Sequence, residues 1–137
     1  MAQPRRLKAT IIREGYNLGH TADYLIPKGN TDKETVYYAL ALLNSKLLNF
    51  YFKSYSNTNH ISVEELSNLP VKYNNVAGIA KKSELLCRLY DTIDFAIHND
   101  KMFHKLKEIN SLERVIDEMI YELYGLDSSE VETVGSF

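Results

Sequence analysis

A chain of 137 residues, 45% hydrophobic and 25% charged, has the composition of one folded unit with a real core. Its formal net charge of −2 gives no sign of a polyanionic partner, and its one cysteine, Cys87, excludes an internal disulfide framework and a multi-cysteine zinc site. No apolar run approaches the roughly 18 residues that cross a bilayer, and the opening Met-Ala-Gln-Pro-Arg-Arg lacks a signal-peptide core. The expectation is a soluble, cytoplasmic protein with no membrane contact.

In chain order, Lys8-Ala-Thr-Ile-Ile-Arg13 is a β-branched run, punctuated afterwards by Gly15 and Gly19, and reads as a strand. Ala22-Asp-Tyr-Leu-Ile-Pro27 reads as a second, closed by Pro27 and the Lys28-Gly29-Asn30 turn. A helix then starts at Thr31 or Asp32, with Val36, Leu40, Leu43, Leu47 and Phe50 on one face. Its flanks are also apolar, which predicts a buried central helix with Ser45, Lys46, Asn49 and Lys53 as a narrow polar strip. Ser54 to His60 is a polar connection, Ile61-Ser-Val63 a brief strand, and Leu66, Leu69 and Val71 pin the next segment around the helix-breaking Pro70.

Asn74-Asn75 and Gly78 mark a boundary between a mixed front, 1–75, and a helical rear, 76–137, within one continuous globule. The rear predicts a helix from about Ile79 to Ile97, weakened at His98-Asn99-Asp100. A final helix follows, with Ile109, Leu112, Ile116, Met119 and Leu123 as a near-heptad seam and Asn110 with Glu113 as its capping pair. Gly125 stops it, and Asp127 with Glu130 opens a short turn from Ser128 to Val134. The predicted fold class is therefore α+β: a small mixed sheet with a buried central helix, then a helical C-terminal part.

Charge is split between the halves. Met1 to Lys82 holds 11 basic and 6 acidic residues, net +5, whereas Ser83 to Phe137 holds 5 basic and 12 acidic residues, net −7. Catalytic patterns are missing: there is no phosphate-binding glycine loop and no nucleophile elbow, and His20, His60, His98 and His104 do not take a metal-ligand spacing. Cys87, among Leu85, Leu86 and Leu89, reads as an inert thiol, and Glu113, Asp117, Glu118 and Glu122 as a solvated face. No enzyme and no cofactor are expected of this chain. The polar Ser54–His60 connection beside Lys53 has side chains suited to base edges and phosphate, although loops in general share that composition.

Leu43-Asn44-Ser45-Lys46, the variable polar linker, Ile61, the Leu69-Pro70-Val71 step and the ending Asp117-Glu-Met-Ile-Tyr-Glu-Leu-Tyr-Gly-Leu126 occur in a familiar order. From Ala9 to Val134 the chain resembles the TaqI-like C-terminal specificity domains of bacterial restriction–modification enzymes and adenine-specific DNA methyltransferases, which are related to modules of type I specificity subunits. The resemblance implies a target-recognition role on double-stranded DNA, beside a methyltransferase or restriction catalytic domain or subunit. Methyltransferase glycine-loop and Asn/Asp-Pro-Pro-Tyr/Phe motifs are absent from the sequence. The candidate DNA-contacting residues are Arg13, Tyr16, His20, Lys53, Tyr55, Asn57, Asn59 and His60, while Asn44-Ser45-Lys46 suits helix capping at least as well as DNA. The rival is a helical protein–protein module without DNA contact, including self-association along the Ile109–Leu123 stripe.

Overall fold

The computed structural model describes residues 7–11, 26–55, 63–94 and 96–136, and these contain six helices and no strand. The α+β expectation with its small mixed sheet is overturned. Of the expected strands, residues 8–11 run without a ladder partner, 26–27 are irregular and Val63 opens a helix. Residues 12–13, 22–25 and 61–62 lie outside the described residues.

The backbone of the first segment explains the correction. A β-branched run needs hydrogen-bond partners, and here they come from asparagine side chains. Asn49 Oδ1 accepts the Leu7 N–H at 2.6 Å. Asn44 grips Ala9 at both ends, accepting its N–H at 2.8 Å and donating to its carbonyl at 2.9 Å. Two amides thus take the place of a neighbouring strand.

Helix α1, Lys33–Asn44, begins at Asp32, whose carboxylate accepts the Thr35 N–H at 2.8 Å. The single central helix expected from the sequence breaks at Ser45, which takes extended angles (φ −67°, ψ 149°). The Ser45 hydroxyl serves both sides of the break: it donates to the Leu42 carbonyl at 2.7 Å and accepts the Leu48 N–H at 3.2 Å. Helix α2, Lys46–Tyr55, follows. Its expected polar strip is also corrected, since Ser45 and Asn49 are 2% and 1% exposed. Asn49 Nδ2 donates to the carbonyls of Leu43 and Ser45 at 3.1 and 2.8 Å, so the side chain closes α1 while holding Leu7.

Helix α3, Val63–Ser67, is short, and Leu69 beyond it is buried whereas Val71 is exposed. Helix α4, Val76–Asp91, starts earlier and ends sooner than expected. Asn75 precedes it in the left-handed region, φ 50°, and Thr92 closes it by donating to the Leu89 carbonyl at 2.7 Å. Leu85 and Ile97, placed on the buried face by the sequence reading, are exposed. Helix α5, Asp100–Leu123, is capped by Asn99, which accepts the Met102 N–H at 2.9 Å. The Asn110–Glu113 pair therefore lies inside this helix and caps nothing. Gly125 ends it at φ +69°, and the Asp127–Glu130 capping box opens α6, Ser128–Gly135.

Helix α1 packs on α4, α4 forms a hairpin with α5, and α2 lies against α5 and α6. Tyr38, Leu42, Leu48, Phe52, Ile79 and Ile120 form the centre of the core, joined by Leu7 and Leu69 from the connecting segments. The Ile109–Leu123 stripe faces inward: Ile109, Ile116 and Ile120 are buried, and Leu112, Met119 and Leu123 pack against the core. Asp117, expected on a solvated face, is only 7% exposed and accepts the Lys46 N–H at 3.0 Å. A carboxylate there also opposes the positive end of the α2 dipole.

Asn49→Ala leaves the buried Leu7 N–H and the Leu43 carbonyl without this partner, while the Ser45 carbonyl keeps the Asn49 backbone N–H at 3.2 Å. It is expected to lower unfolding free energy by about 2–3 kcal/mol, read from a urea midpoint shift at unchanged slope. A loss below about 0.5 kcal/mol would show that the amide is dispensable.

Candidate nucleic-acid interface

Of the residues expected to touch DNA, Arg13, Tyr16, His20, Asn57, Asn59 and His60 lie outside the described residues. Lys53 and Tyr55 sit on the last turn of α2, with Lys53 half-buried. Tyr55 packs edge-on against Tyr51 and Phe52, each at 5.4 Å between ring centres. Its hydroxyl donates to the Glu65 carbonyl at 2.7 Å, and burial raises the phenol pKa. The side chain thus ties the end of α2 to α3, across the connection carrying Asn57, Asn59 and His60. Tyr51, which the sequence reading did not single out, lies beside it and is exposed.

The Leu43-Asn44-Ser45-Lys46 motif resolves into separate tasks. Asn44 holds the Ala9 backbone, Ser45 joins two helices, and the Lys46 N–H meets Asp117 while its side chain is exposed. Capping and packing, rather than base reading, occupy the Asn44 amide and the Ser45 hydroxyl.

The Leu69-Pro70-Val71 step is held by tyrosines from two helices. Tyr124, just past α5, donates its hydroxyl to the Pro70 carbonyl at 2.5 Å and accepts the Lys72 N–H at 3.2 Å. Tyr38 of α1 donates to the Lys72 carbonyl, with the Asn74 carbonyl 3.4 Å away. Desolvation raises both phenol pKa values, opposed by these backbone contacts. The Tyr-Gly-Leu ending and the Leu-Pro-Val step, 54 positions apart at Tyr124 and Pro70, are therefore in direct contact.

A cavity of about 380 Å³ opens between residues 9–11, α1, α4 and α5. Ser83, Cys87 and Glu113 are among its lining residues, and Glu113 accepts a hydrogen bond from Tyr90. Burial pushes the Cys87 thiol pKa up, which disfavours the thiolate a nucleophile needs. Among the described residues no three His, Cys, Asp or Glu side chains are placed to hold a metal ion. No described helix is long and apolar enough to cross a membrane.

The described helices pack together into one frame. Residues 3–71 match the TaqI-like C-terminal specificity domain, and the chain belongs to that family. Membership suggests a DNA-recognition role in restriction–modification enzymes, in a family that is typically non-catalytic. It implies, in general, DNA and a methyltransferase or restriction partner. The Tyr-Gly-Leu ending lies beyond the matched stretch, although Tyr124 contacts its last residues through Pro70. No curated protein and no solved structure matches the chain.

Because folding raises the pKa values of Tyr38, Tyr55 and Tyr124, the unfolded chain releases these phenolic protons first. Their contribution to stability is complete below the ordinary tyrosine pKa, near 10, and is lost as pH rises through the higher folded values. The urea midpoint is expected to fall steeply above about pH 10, and Tyr124→Phe to make that fall shallower. An equally steep fall in the variant would remove Tyr124 from the account.

Proposed function

We propose that this chain is the DNA-reading part of a restriction–modification system, directing a fused or separate methyltransferase or endonuclease to its target site. The observation that carries the reading is the family match over residues 3–71, which includes the segments bearing the candidate contacts. The anchoring geometry supports it. Asn44 and Asn49 fix the backbone leading into the segment with Arg13, Tyr16 and His20. Tyr55 ties together the two ends of the connection with Asn57, Asn59 and His60. Variable recognition segments held by a rigid frame are a common arrangement for binding.

In this reading Arg13 and Lys53 neutralise phosphates, while Tyr16, His20, Asn57, Asn59 and His60 contact bases or the backbone. Tyr55 braces the frame. The chain works in the cytoplasm, uses no cofactor of its own, and turns its acidic rear toward the catalytic partner. The rival self-association seam is disfavoured by burial of Ile109, Ile116 and Ile120 within the chain itself.

The test is anisotropy or gel-shift binding to a duplex library, with the chain alone and joined to its catalytic partner. Sequence-selective, salt-sensitive binding is expected. Asn57→Ala or Asn59→Ala should relax discrimination at one base pair by about 1–3 kcal/mol, while Lys53→Gln weakens all sequences alike. Equal affinity for every duplex in the presence of the partner sinks the proposal.

A further inference from the structure

The strip that follows the Leu-Pro-Val step has a distinctive surface. Between Ser67 and Ser83 the chain carries Lys72, Lys81 and Lys82 and no acidic residue. Lys72, Asn74, Asn75 and Lys81 are exposed, and from their midst Tyr73 protrudes with 73% of its surface open to solvent.

An exposed tyrosine ordinarily samples several rotamers, and fixing one costs side-chain entropy. Tyr73 is already braced. Its ring stacks on buried Tyr38, with centroids 6.0 Å apart and planes inclined by 26°. The Tyr38 hydroxyl donates to the carbonyl on one side of Tyr73, at Lys72, and lies 3.4 Å from the carbonyl on the other, at Asn74. Tyr124 then accepts the Lys72 N–H, and its ring lies 5.6 Å from the Lys72 ammonium. Two tyrosines of the core thus position a lysine and a third tyrosine, whose own hydroxyl makes no hydrogen bond among the described residues.

The chemistry favours one kind of partner. A protein-docking aromatic gains from apolar neighbours that exclude water around it, whereas Tyr73 is flanked in the chain by exposed Lys72 and Asn74. Ammonium, phenol and amide donors, in a stretch with no acidic residue between Ser67 and Ser83, suit phosphate oxygens. Pre-ordering the ring lowers the entropic cost of binding.

We propose that Lys72, Tyr73 and Asn74 form a contact surface for the sugar–phosphate backbone of DNA, distinct from the base-reading segments. The proposal rests on the DNA-recognition reading and adds to it a sequence-independent grip fixed by the Tyr38–Tyr124 brace.

Phosphate contacts do not depend on sequence, so the full chain can be tested on a random-sequence duplex by fluorescence anisotropy over a salt series beginning at low salt. Lys72→Gln is expected to lower affinity on every duplex and to reduce the slope of log K against log salt by about 0.9. Tyr73→Ala should lower affinity about threefold to tenfold, the worth of one net hydrogen bond, with little change in slope. Circular dichroism on both variants should show an intact fold, since both side chains are exposed. If the unaltered chain binds while both variants keep its affinity and slope, the contact surface is overturned and the DNA-recognition reading stands. If the unaltered chain binds no duplex at low salt even when joined to its catalytic partner, both fall.

Discussion

Asn49 is the interaction on which most of the front half depends. It is 1% exposed, and three hydrogen bonds satisfy its amide: one from the Leu7 N–H and two to the carbonyls of Leu43 and Ser45. The Leu43 carbonyl needs that partner because the helix breaks at Ser45, and the break turns α2 toward α5 and α6. A buried amide left incomplete would cost more than an apolar side chain at the same place. The first segment and the helical break therefore satisfy each other.

Local signals were legible where both partners lie a few residues apart. Asp32 capping Thr35, Asp127 paired with Glu130, and Gly125 at φ +69° all follow from residues within one turn. The break at Ser45 was not legible, because the apolar spacing from Val36 to Phe50 continues through it and the hydrogen bonds that stabilise the break come from side chains. The missing sheet has the same origin. Residues 8–11 have a strand's composition, and nothing local distinguishes a strand partner from the Asn44 amide 35 positions away. Asn110 and Glu113 show the opposite failure, a capping pattern overridden because Asn99 had already started the helix.

The candidate site was legible as composition and opaque as geometry. Polar segments and neighbouring cations can be read directly, but the residues that hold those segments resemble either functional side chains or generic core. Tyr55, a candidate DNA contact, also donates to the Glu65 carbonyl, a structural task its sequence position does not show. Tyr124 looked like part of a family ending and clamps Pro70. Asp117 looked like surface charge and meets the start of α2. Long-range hydrogen bonds from side chains leave little periodic trace in a sequence, so their roles emerge only when the backbone is folded.

The bond from the Lys46 N–H to Asp117 spans 71 positions, and that separation has a bearing on synthesis. As the chain leaves the ribosome, α1 and α2 emerge well before the carboxylate that meets the start of α2. The clamp on Pro70 arrives later still, with Tyr124. Contacts of such high sequence separation pay their loop-closure entropy late. The front segments can collapse early, but their final arrangement waits for the end of α5 to dock. The contacts that fix the front segments are thus completed only by residues made long after them.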